Sequence, residues 1–367
     1  MNKSSGSGVA ARECAFMDAL SGVVPERTPV WLMRQAGRSL PEYRAIRGTG
    51  SILEAVKDPT LACEITLQPV RRYDVDAAIL YSDIIVPVHA AGFGIEIIPG
   101  QGPVTEHPFK SKDDLNRLQD FSAAALTPYV LETIQLLKKE LSVPLIGFAG
   151  GPFTVASYLI EGRPSRTFTK TKAFMASQPE LFATLLERLT EITIDFLSAQ
   201  IASGVDAIQI FDSWVGALST TEYERFISSQ MHQIFSDPII SSVPTIHFGV
   251  KTEPLLELIA KTKPSAIGVD FNTSISTTAK RLGPDFALQG NLDPQLCLKG
   301  SKEALEGATR VLIDSATAPK YVFNLGHGVL PETDPVVIKD LVSFVHENGL
   351  KIRGEHLNDP QNVGTKP

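Results

Sequence analysis

Short, mostly apolar runs recur along the chain at 30–33, 77–81, 144–148, 207–211, 245–248, 266–269, 286–289 and 321–324. Each is too short for a helix and apolar at nearly every position, the pattern of a strand buried on both faces. Between and after them apolar residues fall at helical spacing, most clearly at 195–203, 253–261 and 334–347. Eight strands alternating with helices predict an α/β fold, a single (β/α)8 barrel with a parallel eight-stranded core; a doubly wound open sheet is the alternative.

The two longest gaps, 82–143 and 150–206, leave room for extra elements, among them a hairpin or strand at 94–99. Residues 1–27 read as a partly disordered N-terminal segment and 28–348 as the barrel. Residues 349–367 read as a disordered tail, because the chain there turns polar and loses its periodicity. At 367 residues the chain is long enough for two average domains, but barrels of this kind use that length as one.

Composition narrows the partners. With 34 basic and 41 acidic residues the formal charge is −7, so no global basic field exists for nucleic acid or an anionic membrane. An anionic ligand must therefore be met by a local group of arginines. The first thirteen residues lack the apolar stretch of a secretory signal, and no run approaches the ~20 residues of a membrane span. A cytoplasmic protein is expected. Cys14, Cys63 and Cys297 are odd in number and widely separated, without CxxC or HxC spacing, so neither a disulfide framework nor a thiolate metal site is indicated.

In a barrel the chemistry gathers where strands end, and polar residues follow nearly every predicted strand here. The first run leads into Arg34-Gln35-Ala36-Gly37-Arg38, two guanidiniums four residues apart around a glycine, each a planar fork of donors matched to carboxylates. Arg44 and Arg47 follow closely. Asp83 lies between apolar stretches, an expensive place for a carboxylate unless cations or N–H donors surround it. Asp212-Ser213, Asp270, Gln289-Gly290-Asn291 and Gly326-His327-Gly328 close later strands, and Tyr158 lies on the helix expected after Gly151. The glycines at 147–151 suggest a tight turn rather than a phosphate loop, since the lysine of a P-loop is missing.

Six separated segments carry a resemblance: PVWLMRQAGRSLPEYR at 29–44, YSDI at 81–84, GFAGGPFT at 147–154 with ASYLIEG at 156–162, IFDS at 210–213, QGNLDP at 289–294 and FNLGHG at 323–328. In these, and in their order, the chain resembles the uroporphyrinogen decarboxylase family from about residue 28 to about 347. The resemblance implies a single (β/α)8 barrel, usually a homodimer. It implies conversion of uroporphyrinogen to coproporphyrinogen with neither metal nor organic cofactor. It also implies substrate contacts from Arg34, Gln35, Ala36, Gly37 and Arg38, with Asp83 reaching the pyrrole N–H groups and Tyr158, Ser213 and His327 as further polar contacts. Asp83, Arg34, Tyr158 and His327 are the catalytic candidates, and the proton donor is one of Arg34, Tyr158, His327 and a bound water. Ser39 stands where that family commonly has tyrosine, and Gly151 where it often has alanine.

Two other readings compete. A methyltransferase of the same superfamily needs zinc ligands grouped as HxC with a distal cysteine, whereas His247 is followed by Phe248 and Gly249 and Cys297 stands alone. A porphyrinogen carrier that has lost catalysis needs arginines but has little use for Asp83.

Overall fold

The computed structural model describes residues 14–48, 50–98, 100–118 and 121–358. Among the described residues nine strands are regular: β1 Ala78–Ile79, β2 Glu96–Ile98, β3 Gly102–Val104, β4 Leu145–Gly150, β5 Ala207–Phe211, β6 Thr245–Phe248, β7 Ala266–Gly268, β8 Ala287–Leu292 and β9 Tyr321–Leu325. Seven form one parallel sheet in the order β1-β4-β5-β6-β7-β8-β9, and β2 and β3 form a separate antiparallel hairpin. Every residue of β1, β4, β6, β7, β8 and β9 is buried, as a sheet covered by helices requires.

The eighth place is filled differently from expectation. Residues 30–33 form no regular strand; a single parallel bridge joins Val30 to Phe323. The reason lies in where the backbone donors go. Val30 N–H donates to Asp76 Oδ2 (2.7 Å), Leu32 N–H to Gln35 Oε1 (3.0 Å) and Met33 N–H to Asn324 Oδ1 (3.1 Å), so three ladder donors are consumed by side chains. Phe323 N–H still donates to Pro29 O and Asp76 N–H to Val30 O, both at 2.8 Å. The segment thus spans the gap between β9 and the chain entering β1, and the architecture is a (β/α)8-type barrel with seven regular strands.

The expected hairpin is present as β2 and β3, with Pro99 itself outside the described residues. Inside the N-terminal segment, Ala15–Leu20 is a helix whose Phe16 is fully buried, so part of 1–27 is ordered against the core. The disordered tail is corrected as well: the last helix runs Pro335–Asn358, well past Gly349. Periodicity fades there because a buried cation, not an apolar stripe, holds the helix. Arg353 donates through Nη2 to the carbonyls of Ala318 and Ser315 and lies 5.1 Å from the Tyr321 ring centre. Residues 359–367 lie outside the described residues.

Candidate active site

Arg34 turns the chain as it leaves the first segment, with a φ of 60° in the left-handed region. The turn is held by Gln35 N–H to Leu32 O and Leu40 N–H to Gly37 O, both 3.0 Å. It throws the Arg34 side chain across the backbone after β9, where a Cβ on Gly328 would fall 2.4 Å from Arg34 Cδ. Only glycine beside His327 lets the arginine lie there.

Asp83 follows β1 in a short loop and is partly buried. Its Oδ1 accepts Ile85 N–H at 3.0 Å. Burial pushes its pKa up, while that N–H and the Arg34 guanidinium oppose the rise. Tyr158 sits on the helix Pro152–Glu161 that follows β4, its pKa raised by burial, lowered by a hydrogen bond from Trp214, raised by Asp83 and lowered by Arg34. His327 is half-buried after β9; burial and then Arg34 lower its pKa, with Asp270 acting against them. One guanidinium is therefore felt by Asp83, Tyr158 and His327. Residues from four separate stretches, 34, 83, 158 and 327, converge at one end of the barrel.

The other expected residues divide. Arg38 is exposed, and its carbonyl accepts Arg44 Nη1 at 2.7 Å, which fixes Arg44 in the turn. Ala36 and Gly37 are partly buried in the same turn, and Ser213 is partly buried just after β5. Gln35 differs: it is 1% exposed, donates to Ala77 O (3.0 Å) and accepts Leu32 N–H, so its amide knits the turn to β1. Its side chain therefore works inside the protein, holding the turn, rather than projecting toward a ligand.

Tyr43 and Trp214 carry no signal that singles them out by spacing alone. Arg47 Nε lies 3.4 Å from Tyr81 Oη, which pairs with Tyr43 Oη at 3.0 Å, and its guanidinium is 6.0 Å from the Tyr43 ring centre. Tyr81 ends the second predicted strand, so the strand-end rule that picks Asp83 could also pick it. Trp214 packs edge-on to Tyr158 with ring centres 6.3 Å apart. Inside the barrel Trp31 Nε1 donates to Gln289 Oε1 (2.8 Å) and Gln289 Nε2 to Gln209 Oε1 (3.0 Å), a polar layer beneath the mouth. Phe211 lies between Phe148 and Phe248 at 5.3 and 6.1 Å. A separate cleft of 270 Å³, lined by Phe271, Asn272, Asn291, Arg310 and Asp314 among others, contains none of the four converging residues. Among the described residues, no three His, Cys, Asp or Glu side chains group to hold a metal ion, and no helix is long and apolar enough to cross a membrane.

A parallel barrel with a guanidinium, a carboxyl, a phenol and an imidazole gathered on the segments that follow its strands belongs to the enzyme class of (β/α)8 proteins, with a set of groups chemically suited to an anionic ligand that also offers N–H donors. The chain belongs to the uroporphyrinogen decarboxylase family: the model of "Uroporphyrinogen decarboxylase (URO-D)" matches residues 12–348. It is 49% identical over 349 residues to the uroporphyrinogen decarboxylase of Mycobacterium leprae (strain Br4923), covering 91% of this chain and 97% of that protein. It is 50% identical over 321 residues to that of Salinispora tropica, covering 87% and 86%. Among solved structures, a methyltransferase from Methanosarcina mazei shares the fold at a TM-score of 0.76 and 23% identity, covering 91% of this chain and 98% of that one.

Proposed function

We propose that this chain removes carbon dioxide from the four acetate side chains of uroporphyrinogen III, giving coproporphyrinogen III, without metal or organic cofactor. The observation that carries the reading is the convergence of Asp83, Tyr158 and His327 on Arg34 in a chain of this family.

Breaking the C–CO₂⁻ bond leaves an electron pair that needs a sink. Protonating the pyrrole carbon beside the acetate-bearing one makes a ring cation conjugated with the acetate CH₂, and the pair flows into the ring as CO₂ departs. A second proton then converts the exocyclic methylene to methyl, and the ring carbon releases the first. Net, one carboxylate and one proton become CO₂ and a methyl group. A propionate has one more CH₂ and lacks the conjugation, so it survives.

As a carboxylate, the form that the Ile85 N–H and Arg34 favour against burial, Asp83 accepts the pyrrole N–H groups and stabilises the developing cation. Arg34 orients the reacting acetate. A cation clamped hard on the departing carboxylate would favour the ground state over the transition state, so firm anchoring falls to Arg38 and Arg47 on carboxylates that do not react. His327, held neutral by burial and Arg34, hydrogen-bonds a substrate carboxylate, with Ser213 beside it. Tyr158 stays protonated and offers a hydroxyl near the reacting acetate. The free thiols of Cys14, Cys63 and Cys297 suit a reducing cytoplasm, and family resemblance supports a homodimer.

The test is anaerobic incubation of purified protein with chemically reduced uroporphyrinogen, then oxidation and chromatography of the porphyrins. Products with seven down to four carboxylates, formed without added metal or cofactor, are expected. Tight binding without product would overturn the reading in favour of a carrier.

A further inference from the structure

We propose that Asp212, paired with His247, is a positioning residue that fixes Trp214, and through it Tyr158 and Ser213, at the pocket. The kinetic part of this inference rests on the decarboxylase reading; the structural part does not.

Asp212 directly follows β5 and is fully buried. Its neighbour Phe211 packs with Phe148 and Phe248, while Asp212 packs toward helix residues. Oδ1 accepts the Thr154 hydroxyl at 2.8 Å. Among the described residues Oδ2 has no hydrogen-bond partner, and neither ring nitrogen of His247 has one, yet His247 Nε2 lies only 3.8 Å from Oδ2. His247 is also fully buried, with Phe235 edge-on to its ring at 6.4 Å. At 3.8 Å a lone buried carboxylate oxygen and a lone buried imidazole nitrogen stand about 0.6–0.9 Å beyond hydrogen-bond distance, a gap that a small side-chain shift closes into an N–H···O bond. The Tyr223 hydroxyl, likewise unpartnered, feels the same carboxylate.

Thr154 has one hydroxyl proton, given to Asp212, and with its lone pairs it accepts the Trp214 backbone N–H at 3.1 Å. Trp214 in turn stands edge-on to Tyr158 at 6.3 Å and rests on Phe168 at 5.7 Å. The route from the buried pair to the pocket therefore runs Asp212, Thr154, Trp214, Tyr158, with Ser213 lying between Asp212 and Trp214 in sequence. Gly151 completes the seat: a Cβ there would lie 2.4 Å from Asp212 Cγ, so the carboxylate lies where a side chain at 151 would be.

The test compares Thr154→Val and Asp212→Asn with Thr154→Ser, which keeps the hydroxyl. The chain has two tryptophans, and Trp31 is fully buried, so acrylamide quenching of tryptophan emission reads Trp214, with Trp214→Phe as the control. Quenching is expected to rise about twofold or more in Thr154→Val and Asp212→Asn and to stay at the wild-type level in Thr154→Ser. With uroporphyrinogen, kcat should fall by about tenfold or more in the first two while KM moves less than about threefold, since the arginines are untouched. If Asp212→Asn does not fold, the valine and serine variants of Thr154 carry the comparison. Lowered thermal stability with unchanged quenching in Thr154→Val would overturn the proposal and leave the pair a purely structural one. Because quenching needs no substrate, that outcome holds whether or not the wild-type protein turns over uroporphyrinogen.

Discussion

At the scale of single residues, burial moves Asp83 and His327 to opposite sides of their ordinary pKa values. Asp83 titrates above the usual carboxyl value of 3.8 because burial outweighs the Ile85 N–H and Arg34. The folded state then holds the Asp83 proton more tightly than the unfolded chain, so its contribution to stability is present below the ordinary value and is lost as pH rises through the folded one. His327 titrates below 6.5, so the unfolded chain binds the proton more readily. Its contribution is present above 6.5 and is lost as pH falls through the folded value. Replacing His327 with Gln should therefore flatten the fall in melting temperature on the acid side of neutrality, measured by scanning calorimetry across that range. An unchanged slope would refute the assignment. Position in sequence was enough to nominate Arg34, Asp83 and His327, because strand ends in a barrel share one mouth, whereas Tyr158, on the helix Pro152–Glu161, is singled out only by the family resemblance. It was not enough for Gln35: the left-handed turn at Arg34 sends that amide inward to Ala77 O, and spacing alone carries no such direction.

At the scale of elements, the two ends of the chain held most of what the sequence concealed. The last helix continues to Asn358 although its final turns lack an apolar stripe, because Arg353, 6% exposed, binds two carbonyls and the face of Tyr321. Its burial lowers the guanidinium pKa, and Nε has no partner among the described residues, so the anchor is costly as well as specific. Arg353→Ala leaves those carbonyls without a donor and is expected to lose about 1–3 kcal/mol in urea unfolding. Ending the chain after Gly349 should cost at least as much, and a truncated protein as stable as the full chain would show the anchor to be dispensable. The first strand misled for a related reason: its apolar run is real, but side chains of Asp76, Gln35 and Asn324 take the backbone donors that a ladder would use. Apolar patterning reports burial, and it does not report where N–H groups go.

At the scale of the whole molecule, a protein of net charge −7 presents an arginine-bearing mouth at the strand ends, with Arg34 and Arg38 exposed. A ligand with eight carboxylates is repelled by the bulk and attracted by the mouth, and because these arginines are exposed, added salt, with a Debye length of about 10 Å at 0.1 M, screens their attraction. The dissociation constant for uroporphyrinogen should accordingly rise with added salt in a titration, and a flat response would count against arginine capture. The alternation of strands and helices made the barrel legible from sequence, whereas the polar layer of Trp31, Gln289 and Gln209 inside it depends on which way each strand residue faces.

The most direct measurement pairs substrate affinity with turnover in Asp83→Asn. The amide keeps the shape and can still accept N–H groups but removes the charge facing the ring cation. Turnover is predicted to fall by about 10²–10³-fold while the dissociation constant changes by less than about tenfold. Wild-type turnover in Asp83→Asn would contradict a charge-stabilising role for the carboxylate.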